Sequence, residues 1–219
     1  MVTLEDIKQD PVIDSFIQNS NKYLGVIGFT EHGYRHVNLI AHVARNVLEK
    51  LGYPKEQTEL AAIAGYLHDL GNVVNRKEHG ISGAIMAYPI LLRLGMFPDD
   101  IATVISAIAN HEEQYGNAVS SVAAALIVAD KSDVHRSRVR NKDYAAFDIH
   151  DRVNYAVEHS FLWVAEQERL ISMELTIDLD ICSVMDYFEI FMSRMIMCRR
   201  AADYLKCTFE LIINGAKLL

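Results

Sequence analysis

Four histidines and two aspartates stand where the core face of a helix would ordinarily carry a leucine. His36 shares a face with Ile40, Val43 and Val47, at offsets of four, seven and eleven residues. His68 follows Leu60 and Ala64 by eight and four, with Asp69 beside it at the helix end. His79 is in line with Gly83, Met86 and Ile90; His111 follows Val104 and Ile108 by seven and three; Asp130 follows Leu126 by four. A single histidine on such a stripe is usually a core residue bonded to a carbonyl. Six ionisable groups on five stripes demand more, because an unpaired buried charge costs several kcal/mol or shifts its pKa. Such groups must meet one another or a cation.

Four neutral imidazoles and two carboxylates are ligand chemistry for Fe or Mn, with Zn, Co or Ni also suited. Six ligands exceed one tetrahedral site and suit two divalent transition metals roughly 3.5–4 Å apart, sharing a carboxylate and a hydroxide. Asp69, at the centre of the set, is the expected bridge. The other histidines, His32, His42, His135, His150 and His159, read as structural or surface residues. His32 and Arg35 precede the first ligand and read either as groups behind it or as surface.

The ligands need helices to carry them. Val37, Ile40, Ala44, Val47, Leu48 and Leu51 recur at helical steps until Gly52 and Pro54. A second helix is expected from about Lys55 to Gly71. A third runs from about His79 toward Leu94, where Pro89 should kink or split it. Phe97-Pro98-Asp99-Asp100 opens a fourth, and Val122, Leu126 and Ala129 define a fifth. The first 25 residues predict one more. From about residue 157 the pattern changes: Phe161–Val164 and Leu170–Leu179 suggest a hairpin, Met185 to Leu205 a helix, and Cys207–Ile213 a strand. The expected fold is mainly α, with residues 1–156 forming a helical metal-binding domain and 157–219 a β-β-α-β appendage packed on it.

Composition bounds the rest. The 219 residues are 51% hydrophobic and 23% charged, with 4 Pro and 11 Gly, which excludes a disordered or collagen-like chain. A net charge of −8 argues against extended nucleic acid or anionic lipid as a partner. The 3 cysteines, Cys182, Cys198 and Cys207, lack CxxC spacing, which excludes a disulfide framework and a thiolate zinc site and suits a reducing compartment. The acidic start of the chain and the short longest apolar run, Val122 to Ala129, point to a cytoplasmic protein without a membrane segment.

His36-Val-Asn-Leu-Ile-Ala, Tyr66-Leu-His-Asp-Leu-Gly and Leu126-Ile-Val-Ala-Asp130-Lys resemble the H…HD…D signature of the HD-domain metal-dependent phosphohydrolase superfamily over roughly residues 30 to 135. The resemblance implies a helical bundle in which His36, His68, Asp69 and Asp130 bind the first metal. His79 in Glu78-His-Gly-Ile and His111 in Asn110-His-Glu-Glu match the two further histidines of its binuclear branch. The layout from His79 to Asp130 is closer to the dinucleoside tetraphosphate hydrolases than to the cyclic-dinucleotide phosphodiesterases. The latter's Gly-Tyr-Pro motif is missing, and Asn110 replaces one of their histidines. The stretch after 157 lies outside this resemblance.

The implied activity is hydrolysis of a phosphoester or phosphoanhydride, in a nucleotide or dinucleotide, by a hydroxide bridging the metals. Positive groups near the phosphoryl oxygens would be needed. Lys131, Arg136, Arg138, Arg140 and Lys142 follow the last ligand and are expected to grip phosphate, Arg136 and Arg138 directly; the same stretch also reads as a solvated basic loop. Lys131 and Asp133 are expected to assist catalysis from beside Asp130, with Arg76 a further phosphate contact and Lys77 a weaker one. Two rivals stand beside this reading: a di-iron oxygenase on the same fold, and a metal- or nucleotide-binding module without turnover. The sheet edge could also pair two copies as a homodimer.

Overall fold

A computed structural model describes residues 2–218. The run Val122 to Ala129 explains the architecture, because a helix that is apolar on every side belongs in the centre. Residues Val122 to Ala129 are all buried in α7 (Ser121–Ser132). Around it pack α3 (Tyr34–Lys50), α4 (Lys55–Leu67) and α6 (Pro98–Ala109). Small side chains let these helices approach closely: a Cβ on Gly65 would stand 2.9 Å from the Ala41 Cα. A 3-10 turn (Leu70–Val73) leads from α4 to α5 (His79–Arg93).

The N-terminal segment forms two helices, α1 (Leu4–Lys8) and α2 (Pro11–Val26), where one was expected. Asp10 divides them, because its side chain accepts from the backbone N–H groups of Val12 and Ile13 and Pro11 starts a new helix. Pro89 does not split α5. The carbonyl it leaves without a partner is that of Ile85, 68% exposed, where water can serve it. The second expected helix ends at Leu67, short of Gly71, and Asp69 stands at the start of the 3-10 turn.

After α7 come two 3-10 turns, Arg136–Arg138 and Tyr144–Ala146, and a helix that periodicity missed, α8 (Ile149–Ala156). The expected β-β-α-β order follows as β1 (Val157–Ala165), β2 (Leu170–Ile177), α9 (Val184–Tyr204) and β3 (Thr208–Ile213), with a two-residue β4 (Ala216–Lys217) added. The sheet order is β1-β2-β3-β4. β1 and β2 form an antiparallel hairpin with Phe161 opposite Glu174, whereas β2 and β3 run parallel with Ser172 opposite Glu210. Parallel neighbours need a crossover, and α9 provides it. α9 also lies on α7, so one apolar core takes Phe191, Met195 and Cys198 together with Leu126 and Ile63. Cys182, Cys198 and Cys207 are free thiols, all buried. Among the described residues no helix is long and apolar enough to cross a membrane.

Candidate metal centre

The last carbonyls of a helix have no intrahelical partner, and two of the histidines use them. His68 follows α4 directly and its Nδ1 lies 2.8 Å from the Gly65 carbonyl; His111 stands two residues beyond α6, its Nδ1 2.6 Å from the Ile108 carbonyl. His79, opening α5, has Nδ1 3.0 Å from the Arg76 carbonyl. His36 differs: its Nδ1 is 2.6 Å from Asp133 Oδ2. A carbonyl can only accept, and a carboxylate normally does, so each Nδ1 carries the proton and each Nε2 presents a lone pair.

All four Nε2 atoms converge. His36 Nε2 is 3.2 Å from His68 Nε2, and His111 Nε2 is 3.0 Å from His79 Nε2. The carboxylates stand among them. Asp130 Oδ1 lies 3.5 Å from both His36 Nε2 and His68 Nε2. Asp69 reaches both halves of the group, with Oδ2 3.5 Å from His36 Nε2 and 3.4 Å from His68 Nε2, and Oδ1 3.3 Å from His79 Nε2. Asn72 Nδ2 donates to Asp69 Oδ1 at 2.7 Å and fixes its tilt.

Lone pairs at these separations repel unless a positive charge lies between them. Asp69 Oδ2 is buried and has no hydrogen-bond partner among the described residues, an orphan that a cation would satisfy. His36, His68 and Asp130 have one ligand atom each within 4.8 Å of one another, as do His68, Asp69 and His111. The two carboxyls and His111 titrate in keeping with this. Burial opposes ionisation of Asp69 and Asp130, yet the neighbouring imidazoles, and Lys131 beside Asp130, hold both carboxyls well below the usual range. Burial and the adjacent His79 and His68 push His111 down to about 3. Burial and Arg138 work to keep His36 neutral, but Asp130 and Asp133 outweigh them and raise its pKa. Nitrogen and oxygen donors around a negative, water-poor centre fit divalent metal ions.

A polar cavity of about 20 Å³ touches this group, lined among others by His32, Asp69, His79, Asp130 and Lys131. A wider cleft of about 270 Å³ shares His32, Arg76, Arg138 and Arg194 with it, and so forms the approach. His32 is buried, with Nδ1 2.7 Å from the Thr30 carbonyl and its ring edge-on to His36. Of its two readings the structure gives the one behind and beside the ligands. His42, His150 and His159 are exposed. His135, partly buried, bonds the Glu158 carbonyl at 2.8 Å.

The basic stretch divides. Lys131 is buried, with Nζ 2.7 Å from Asp130 Oδ2 and 3.1 Å from Glu113 Oε1. Arg138 walls both cavities, but its guanidinium is spent on the Asp133 carbonyl at 2.6 Å and on the Glu31 carbonyl at 3.0 and 3.2 Å. Arg140 bonds the Phe29 carbonyl and Asn21 in the same way. These two arginines staple the 27–32 loop that forms one side of the cleft. Arg136 pairs with Glu158 at 3.0 Å, packs on the Tyr155 ring and lines neither cavity. Of the two arginines expected to grip phosphate, Arg138 lines both cavities while donating to backbone carbonyls, and Arg136 sits beside Glu158 and lines neither.

Two other arginines face the approach. Arg76 has Nη1 3.7 Å from Asp69 Oδ1 and its guanidinium 5.5 Å from the centre of the Phe29 ring. Arg194 of α9 has Nε 2.9 Å from Glu113 Oε1 and its guanidinium 4.4 Å from the centre of the Phe191 ring. No protein acceptor takes the Nη groups of Arg194 among the described residues. Burial opposes ionisation of Glu113, but Lys131 and Arg194 hold its carboxyl down to about 2. Sequence reading missed Arg194, Glu112 and Glu113. The glutamates follow His111 directly and could have been noticed there, Glu112 bonding His79 Nδ1 at 3.2 Å and the Gly80 N–H at 2.6 Å. Arg194, on a helix of the appendage, carries no local signal.

A helical bundle that gathers H, HD, H, H and D side chains from successive helices defines an HD domain, and the chain belongs to that family: the HD domain family model matches residues 33–190. The match runs past 157 through β1 and β2 into α9, further than the motifs alone. The chain is 24% identical over 158 residues to an uncharacterized protein of Methanocaldococcus jannaschii, covering 62% of this chain and 61% of that one. It thus spans about three fifths of the length of that relative. A crystal structure of a predicted HD superfamily hydrolase from an uncultured Thermotogales bacterium is 22% identical, with TM-score 0.45, over 57% of this chain and 67% of that one.

Proposed function

We propose that this protein is a metal-dependent phosphohydrolase acting on a small phosphorylated molecule of nucleotide-like chemistry, with His36, His68, Asp69, His79, His111 and Asp130 holding two divalent metals, Fe or Mn foremost. The observation that carries the reading is the convergence of four imidazole lone pairs and two carboxylates beside a small cavity whose mouth, where the wider cleft begins, holds Arg76 and Arg194. When bound, such metals supply a nucleophilic hydroxide near neutral pH and polarise a phosphoryl oxygen.

The chain's own residues have distinct tasks. Asp133 and the carbonyls of Gly65, Arg76 and Ile108 hold each imidazole in the tautomer that presents Nε2. Asn72 fixes Asp69. Lys131 stays charged despite burial, because Asp130 and Glu113 outweigh the cost, and places a positive group at the cavity wall. Arg76 and Arg194 offer N–H groups to phosphoryl oxygens, where charge grows during in-line displacement. Arginines at the mouth suit a phosphate and so favour hydrolysis over the oxygenase; turnover is what separates a hydrolase from a binding module.

The test starts with metal content. Purified protein should carry or take up Mn²⁺ or Fe²⁺ with high affinity, and His68→Ala should lose it; equal metal in both would sink the site. With Mn²⁺ added, a panel of phosphate esters, nucleotides and dinucleoside polyphosphates should show turnover that Asp69→Ala abolishes. Oxygen consumption without phosphate release would decide for the oxygenase.

A further inference from the structure

Helix α5 has one face for the bundle and another that the chain itself leaves bare. His79, Gly83, Ala87 and Ile90 are buried. Ile81, Ile85, Tyr88 and Leu92, at offsets of four, seven and eleven, are 46, 68, 49 and 52% exposed. Residues three and four apart are neighbours on a helix, so these four side chains make one continuous stripe about 16 Å long. No charged residue interrupts α5 between His79 and Arg93, although a face turned to water ordinarily carries charge. The metal centre does not use this face, and an apolar patch of this kind marks contact with another surface. The four side chains expose on the order of 100 Å² each, about half of the ~800 Å² that each partner gives a standard interface, and the exposed Glu78, Pro89 and Arg93 beside them add to it.

We propose that the chain forms a homodimer in which α5 packs antiparallel on α5 of a second copy, with this stripe as its centre. The stripe fits itself. About a two-fold axis level with Met86 and Ala87, Ile81 faces Leu92 of the second copy and Ile85 faces its Tyr88, so every apolar side chain meets another. Charge selects the same arrangement. Glu78 precedes the helix and Arg93 lies in its last turn, fifteen positions on and so about 60° apart round the axis, on one flank of the stripe. A two-fold axis keeps that flank on one side, and the antiparallel pair sets Glu78 of each copy beside Arg93 of the other. The parallel pair would set like charges together. Both groups are free for this: Glu78 is exposed and makes no side-chain cap bond, and Arg93 holds Asp10 by Nη2 alone, its other side-chain N–H groups having no acceptor among the described residues. The dimer stands independently of the phosphohydrolase reading.

Sedimentation equilibrium of the full-length chain over a dilution series should give twice the chain mass. Ile85→Asp puts a carboxylate from each copy at the centre of the contact and should raise the dimer Kd about 100-fold or more, whereas Ile85→Leu should keep the dimer. Thermal melting followed by circular dichroism checks that Ile85→Asp still folds, and Tyr88→Asp takes its place if it does not. Glu78→Arg should weaken the dimer about three-fold or more, with the larger effect at low salt. Cross-linking reads the geometry. In the double variant Ile81→Cys with Leu92→Cys, oxidation should join two chains, because within one chain these positions are about 16 Å apart and cannot bond. Neither single variant should cross-link, and the chain's own three cysteines are buried and do not compete. A parent chain that stays monomeric at the highest concentration, a dimer that the aspartate variants leave intact, or cross-linking by Ile81→Cys alone overturns the proposal.

Discussion

Asp133 Oδ2 lies 2.6 Å from His36 Nδ1, two residues separated by 97 positions, and the same carboxylate takes Arg35 Nη1 and Nη2 at 3.2 and 2.7 Å. Burial opposes its ionisation, yet Arg138, His36 and Arg35 hold the carboxyl far below the usual range. Asp133 therefore acts on the metal site through His36. In Asp133→Asn, which keeps the shape and removes the charge, metal affinity should fall about 10–100-fold. Competitive metal titration measures this, and an unchanged affinity would show that His36 needs no such partner. Asp133→Ala should also unfold more readily, by about 3–5 kcal/mol in denaturant titration, because buried Arg138 loses its carboxylate.

Gly71 of the Leu-His-Asp-Leu-Gly segment is needed for close approach. A Cβ there would stand 2.0 Å from the His79 carbonyl oxygen and 2.5 Å from the Gly83 nitrogen, both backbone atoms. Gly71→Ala must part the 3-10 turn from α5, and with it Asp69 from His79. The expected result is a stability loss of about 1–3 kcal/mol or more, together with weakened metal uptake. Calorimetric melting with and without Mn²⁺ checks both.

Arg194 places a charge from the C-terminal helix at the mouth. Removing a charge-assisted hydrogen bond to a phosphate costs about 1.5–3 kcal/mol, so Arg194→Ala should lower kcat/KM for a phosphate ester about 10–100-fold. Metal content should stay as in the parent chain, since no ligand touches Arg194. Loss of metal along with activity would show that its role is to hold Glu113 and Lys131 in place.

Asp10 gives a pH-dependent prediction remote from the metals. Burial opposes its charge, but Arg93 Nη2 at 2.6 Å and the N–H groups of Val12 and Ile13 lower its pKa. A carboxyl depressed in the folded state adds stability that is full above the unfolded value, 3.8 here, and fades as pH falls through the folded value. Asp10→Ala should thus cost about 0.5–2 kcal/mol at neutral pH, and the gap should start to narrow as pH falls below about 4. Denaturant midpoints for both chains at pH 7 and pH 3 measure it. A gap independent of pH would show that only packing was lost.

Much of the bundle was legible because helical periodicity is local: α3, α4, α5, α6 and α7 fall where the apolar spacing puts them. Asp10 and Pro11, a cap followed by a helix starter, were overlooked, and so one N-terminal helix was expected in place of two. The amphipathic α8 is a single short stretch of two turns, too brief for its period to stand out. What the arginines after Asp130 bond was not legible for another reason. Composition records where charge lies along the chain, whereas carbonyls of the 27–32 loop, about a hundred positions away, determine what Arg138 and Arg140 bond.

The sequence by itself determined which side chains face the core and that six of them are metal-ligand types, since both facts follow from residue identity at helical spacing. Tertiary structure alone decided which groups stand behind and above those ligands. It set Asp133 behind His36, left Asp69 Oδ2 without a hydrogen-bond partner among the described residues, and brought Arg194 of α9 to the mouth of the metal cavity. Such relations depend on how whole helices pack, and packing joins residues whose distance along the chain says nothing about their distance in space.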